Sequence, residues 1–268
     1  MKLLVCFKMT YDLDDVSARE WNRCLEDTGE PAFFKEMINV FDESALELAL
    51  RLADDARALG CDAEATALTV GKDLPEIVAR NLFAAQFDHV VRVKYDKDLR
   101  FHPDITAGII SRFIVENGGF DLILTGRQAG VGDNAITHLL VAETLGLPCV
   151  LDIIDAVYTQ NGIRAKSIVD EGVLHQTITM PVVLAVGNAL HPYLRIATLR
   201  ERLAASQKCA DEIEYKDLQA PDRELSNVLY SGLAREKKHR GCLMIEADTA
   251  EEKVRLLYES CLKKVLRA

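Results

Sequence analysis

The residues best placed to do chemistry lie in "DLILTGRQAGVGDNAIT" (121–137). A short apolar run, Leu122 to Leu124, leads through Thr125 into Gly126, and a polar loop broken again by Gly130 and Gly132 follows. A helical pattern then begins. Where a strand runs into a helix through such a loop, the first turn offers free backbone N–H groups and the positive end of the helix dipole. Glycines let the main chain come close to an anion. The chemistry implied is binding, with the loop from Gly126 to Asn134 bordering an anionic ligand. A purely steric role for the glycines, and a plain helix cap by Asp133 or Asn134, are the competing readings. The chain has no G-x-G-x-x-G or Walker pattern, which disfavours an ordinary dinucleotide or P-loop site.

Other reactive side chains form no constellation. His138, His175 and His191 are not at metal-ligand spacing. Ser44 and Ser167 have no evident His/Asp partners, so no catalytic residue is assigned and no substrate chemistry is expected from this chain alone. The seven cysteines are odd in number and none is spaced C-x-x-C. That fits free thiols in a reducing cytoplasm rather than a metal site. Trp21, Phe33 and Phe34 read as packing anchors. With 42 acidic and 32 basic residues the formal charge is −10, which argues against nucleic-acid affinity. No apolar run reaches the ~18 residues of a spanning helix, so membrane insertion is not expected. The start "MKLLVCFKM" is too short for a signal peptide.

The elements that must position the loop alternate regularly. "KLLVCF" (2–7) reads as a buried strand, and the polar stretch after it has no clear pattern. "VFDESALELALRLADDARALG" (40–60) is a helix capped by Asp42 or Ser44 and stopped by Gly60. A strand (62–71), a helix with Pro75 in its first turn, a strand (89–95), a helix from Pro103 to Gly118–Gly119, the strand of "DLILTG", a helix within 134–146 and a strand region (148–159) follow. This order predicts an α/β fold, a parallel sheet covered by helices, with ligands beyond the carboxyl ends of strands. Those ends include Phe7–Lys8, Val70–Gly71 and Thr125–Gly126. Turns at Asn161–Gly162 and Glu171–Gly172 predict an antiparallel hairpin extension before the buried run "MPVVLAVG". Residues 207–241 read as a polar arm. The last segment is an amphipathic helix with capping-box spacing at Thr249 and Glu252, and with Val254, Leu257, Tyr258, Cys261 and Val265 on one face.

Five segments, in order and at matching spacings, resemble the beta (small) subunit of electron transfer flavoproteins. They are "LLVCFK" followed by Asp12; "INVFDESALELALRL", with Val40 where the family has proline; "ATALTVG"; "DLILTGRQAGVGDNAIT"; and "MPVVLAVGNALHPYLRIATL". The likeness runs from Lys2 to about Leu203.

The resemblance implies a Rossmann-like, adenine-nucleotide-binding domain over 1–206, and an arm and terminal helix over 207–268 that pack on a partner subunit. It implies a heterodimeric electron carrier. The alpha subunit holds an FAD, and the beta subunit holds AMP or, in electron-bifurcating members, a second FAD. Nucleotide positions carried over are Cys6, Asn39, Val40, Phe41, Asp42 and Val70, with the loop residues Gly126, Arg127, Gln128, Ala129, Gly132, Asp133, Asn134 and Thr137. Leu199, in the "ATL" tip, matches the family's anchor for a flavin-containing dehydrogenase, of acyl-CoA type. This loop is less acidic than that of AMP-type members, which favours a diphosphate, and so FAD. The alternative is a stand-alone nucleotide binder of the same fold, either an ATP-binding stress-type protein or an adenylating enzyme.

Overall fold

A computed structural model describes residues 1–27, 34–218, 241 and 243–263. Phe33, Cys242, Val265 and most of the polar arm lie outside the described residues. The chain falls into two compact units, Met1–Ser231 and Gly232–Ala268.

The first unit opens with β1 (Lys2–Cys6), β2 (Met9–Tyr11), α1 (Ala18–Asp27), β3 (Glu36–Ile38) and α2 (Val40–Ala58). β4 (Glu64–Gly71), α3 (Glu76–Ala84), β5 (His89–Lys94), α4 (Pro103–Glu116), β6 (Leu122–Gly126) and α5 (Thr137–Leu145) continue the alternation. β7 (Cys149–Thr159), β8 (Gly162–Val169), β9 (Gly172–Ile178), β10 (Val182–Val186), α6 (Leu199–Ala205) and β11 (Asp211–Glu214) complete it. Nine of these strands form one sheet in the order β11-β5-β4-β1-β6-β10-β7-β8-β9. Pairing is parallel from β11 to β7 and antiparallel through β8 and β9. The fold is therefore the expected α/β sheet with an antiparallel extension. β2 and β3 make a separate antiparallel pair, and Trp21 packs edge-on against Phe34 with ring centroids 5.1 Å apart.

The apolar runs of β1, β6 and β10 are buried on both faces, as central parallel strands require. One apolar layer joins Leu3, Val5, Leu122 and Leu124 to α2 and α3. The other joins Leu4, Cys6 and Ile123 to Ile109, Ile110 and Phe113 of α4 and Val141 of α5. The chain leaves β1 for β4 on one side, then returns from β5 to β6 on the other. The switch in strand order therefore falls at β1 and β6, where such sheets open a crevice beyond the carboxyl ends.

Local expectations are corrected in three places. Neither Asp42 nor Ser44 caps α2, whose N-cap is Asn39. Asp42 instead turns inward to other segments, and the Ser44 hydroxyl donates to Val40 O and Pro192 O. Likewise α5 is capped by neither Asp133 nor Asn134. Its N-cap is Ile136, with no side-chain cap bond among the described residues. The Asn134 amide donates to Arg100 O at 2.8 Å. Finally, the tight turns of the hairpin extension lie one residue earlier than their glycines suggest. Thr159 pairs with Gly162 and Val169 with Gly172, so the glycines open the returning strands.

Residues 211–218, read from sequence as part of the polar arm, return to the sheet. β11 pairs with β5, and a short 3-10 turn (Tyr215–Leu218) follows, with Leu218 buried and its carbonyl accepting from Arg112 Nε at 2.9 Å. In the second unit, α7 (Ala250–Leu257) starts at Thr249, whose hydroxyl accepts the Glu252 N–H, and a π turn (Tyr258–Leu262) extends it. Its Val254, Leu257 and Tyr258 are exposed.

Candidate functional site

A cleft opens at the carboxyl ends of β1, β4 and β6. Cys6, Leu68, Val70 and Thr125 line its floor from the strands; Pro103, Thr106 and Ile110 come from α4, and Thr137 and His138 from α5. Asn39 and Asp42 border it from α2, Lys8 from the chain after β1, and Arg127, Gln128, Ala129, Val131, Asp133 and Asn134 from the glycine loop. So eleven of the fourteen nucleotide positions carried over from the sequence meet around one cavity, with Val40, Phe41 and Gly132 outside its lining.

The loop is held from three directions. The Asn39 amide donates to Gln128 O at 2.8 Å. Lys8 Nζ donates to Val131 O at 2.8 Å, and Asn134 ties the far end to Arg100. Gly132 (φ +91°), Asp133 (φ +38°) and Ala135 (φ +51°) adopt positive φ. Such left-handed residues re-aim successive N–H groups and make concave, anion-seeking backbone. The chain then enters α5 at Thr137. Since that helix has no side-chain cap among the described residues, its first-turn N–H groups stay free of intrahelical and capping partners.

Two of the loop glycines make room for other protein segments. A Cβ at Gly126 would fall on the Asp42 carboxylate and the α2 backbone, and one at Gly132 would meet the Arg100 carbonyl. Both positions allow protein segments to approach and thereby shape the loop. Phe41 stacks under the Arg127 guanidinium, 5.8 Å from ring centroid to Cζ. Arg127 also pairs with Asp152 at 2.7 Å and donates to the Gln128 side chain at 3.1 Å. Val40 is half exposed at the start of α2.

Electrostatically, Asp42 is the centre. Its carboxylate accepts the N–H of Lys8 at 2.9 Å and of Gly126 at 2.8 Å, joining the ends of β1 and β6 to α2. Burial pushes it up to about 6, against those two hydrogen bonds, another from the Asn39 side chain, and the Lys8 charge. Burial lowers Lys8 below the ordinary lysine range, with Asp42 and Asp98 opposing. His138 is also held below its ordinary value by burial, with Asp152 opposing, which keeps its ring neutral at pH 7. Burial and the Asp42 charge both raise the Cys6 thiol, so it stays protonated and unreactive.

Among the lining residues not assigned from sequence are the polar side chains Lys8, Thr125 and His138. Lys8 and Thr125 were visible as strand ends, and His138 was weighed only as a metal ligand. Nothing local shows that the fold brings all three to one cavity.

The electron transfer flavoprotein domain profile matches residues 35–218, most of the chain. The chain belongs to the electron transfer flavoprotein family. Within that family it groups with beta subunits. It is 28% identical over 98% of both chains to a protein of Escherichia coli K12 named as electron transfer flavoprotein subunit YgcR. Against the electron transfer flavoprotein subunit beta of Megasphaera elsdenii it is 27% identical, covering 84% of this chain and 82% of that one. It is also 33% identical to the acryloyl-CoA reductase electron transfer subunit gamma of Anaerotignum propionicum, over 56% and 54% of the two chains. The family role is electron transfer with flavin. Leu199, the expected anchor, lies apart from the cleft residues as the first residue of α6 and is 74% exposed.

Proposed function

We propose that this chain is the beta subunit of a heterodimeric electron transfer flavoprotein, and that its cleft holds an adenine nucleotide. The observation that carries this is the cleft itself. It stands at the strand-order switch, floored by β1, β4 and β6, and is closed by a backbone-rich loop leading to an uncapped helix start. These groups fit a phosphate-bearing ligand: N–H donors and a helix dipole for the charge, Lys8 as the nearby cation, and the apolar Leu68, Val70 and Ile110 against which a base can lie. Asp133 is the one carboxylate on the loop, so a diphosphate meets little repulsion there. That favours a second FAD over AMP, and with it electron bifurcation from NADH. The alpha subunit would carry the FAD that exchanges electrons; bound flavin supplies the redox chemistry, and this chain supplies position and docking. The chain's free thiols suit a cytoplasmic carrier.

The donor or acceptor would be a flavin-containing dehydrogenase. The printed name of the acryloyl-CoA reductase electron transfer subunit supports an acyl-CoA type. Docking is assigned to the tip at Leu199. Thr198 and Glu201 form a capping box there, which fixes the start of α6, while Ile196 (88% exposed), Leu199 and Leu203 (65% exposed) stay uncovered. One inserted leucine contributes about 2 kcal/mol, enough to hold an encounter and weak enough to release it. The terminal helix α7 is assigned to the partner subunit's surface. The test is Leu199→Ala. Electron transfer to the dehydrogenase should slow severalfold or more, with melting temperature and nucleotide content unchanged. A normal rate, or a melting temperature several degrees lower, would remove Leu199 as the anchor.

A further inference from the structure

We infer that the Thr125 hydroxyl is a ligand-binding group of the cleft, satisfied by a polar atom of the bound nucleotide rather than by any described protein group. The inference rests on the nucleotide reading above and adds a residue to it. Thr125 is 6% exposed, lines the cleft, and its Oγ1 has no hydrogen-bond partner among the described residues. Its place in the fold explains why the protein does not satisfy it. β6 is a central strand, and Thr125 stands in register with Cys6 of β1 on one side and Ala185 of β10 on the other. The main-chain groups nearest to it are thus committed to the two ladders. The side-chain neighbours offered by the register, cysteine and alanine, are a weak partner and none.

Two comparisons sharpen the point. Thr106, also in the cleft, sits on α4 and gives its hydroxyl to His102 O at 3.1 Å. Ser111 also has an unpaired buried hydroxyl, but it too stands on α4, where a rotation brings it to a carbonyl of the preceding turn. A strand offers Thr125 no such escape. A buried hydroxyl without a partner is unfavourable, and a valine of the same shape would avoid the penalty. The hydroxyl both donates and accepts, so it can meet a sugar hydroxyl, a ring nitrogen or a phosphate oxygen.

The consequence is a pair of effects with opposite sign. The full chain, co-expressed with its partner subunit, is stripped of nucleotide and titrated with AMP, and with FAD beyond the equivalent that the partner takes. Thr125→Val should raise the Kd of the nucleotide held by this chain about tenfold, or about 1.4 kcal/mol. In the stripped state it should melt no lower than wild type. Thr125→Ser keeps the hydroxyl and should bind within about threefold of wild type. If wild type binds nucleotide and Thr125→Val binds equally well, the inference fails and the nucleotide reading stands. The inference fails also if the stripped valine variant melts several degrees lower, because the hydroxyl then has a partner in the protein. If wild type takes up neither AMP nor additional FAD, both fall together.

Discussion

Asp42 shows how one side chain can set the shape of the cleft. It is not the cap of its own helix, yet it holds the ends of β1 and β6 through Lys8 and Gly126. The absence of a side chain at Gly126 is what lets the carboxylate sit there. Burial raises its pKa from 3.8 to about 6, so the folded chain holds the proton more tightly than the unfolded one does. The stability that goes with this is fully present below the unfolded value and is lost as pH rises through about 6. Asp42→Asn removes the titration while keeping the size. The stability of wild type relative to this variant, from urea unfolding, should fall by about 2 kcal/mol between about pH 4.5 and about pH 7. A difference that is flat, or that grows with pH, would show that the carboxylate is solvated or strongly paired.

At the scale of elements, α2 connects the two functional ends. Its N-terminus holds the glycine loop of the cleft through Asn39 and Asp42. Further along, Glu43 accepts the Leu194 N–H at 3.2 Å. Glu47 accepts from the Arg195 backbone at 2.9 Å and from its guanidinium at 3.1 Å, and Asp54 takes the same guanidinium at 2.7 Å. The segment leading to Leu199 is therefore clamped to the helix that begins at the cleft. Glu47 is buried, so Arg195→Gln leaves a charge without its partner. The cost should be about 2 kcal/mol, below that of a fully buried pair because the Arg195 side chain is 30% exposed. Electron transfer to the dehydrogenase should slow as the tip loses its fixed position. Changing Glu47 to Gln as well should recover part of the stability and none of the rate. Thermal melting and stopped-flow transfer measure the two separately, and a single variant unchanged in both would deny the clamp.

The same elements show what the sequence could reveal. The apolar spacing of Leu46, Leu50 and Leu52–Ala53 exposes α2, and the short runs at 3–6 and 122–124 expose β1 and β6, because burial acts on each segment locally. Caps were misread because Asp42 and Asn134 spend their polar atoms on partners far along the chain. β11 was missed because "DEIE" has one apolar residue and looks solvated. Its pairing comes from β5, where Arg92 and Lys94 stand in register with Glu212 and Glu214 and form ion pairs with them. Complementarity between two distant segments leaves no local signal. The loop at 126–137 was legible as a cleft border from its place between an apolar strand and a helix, whereas the nearness of Lys8 and Thr125 needed the sheet order.

The whole molecule has a cleft at the switch in its sheet and an uncovered apolar tip, both attached to one helix. It carries a charge of −10, and among the described residues no helix is long and apolar enough to cross a membrane. Such an arrangement suits a subunit that holds a nucleotide for structure or for a second redox step and meets other proteins transiently. The central claim is that the β1/β4/β6 cleft holds an adenine nucleotide. The most direct measurement is to purify the chain with its alpha subunit, denature the active complex, and quantify FAD and AMP by chromatography. Beside the FAD of the alpha subunit, an equimolar second adenine nucleotide, either FAD or AMP, should be released. An active complex that releases only the FAD of the alpha subunit would contradict it.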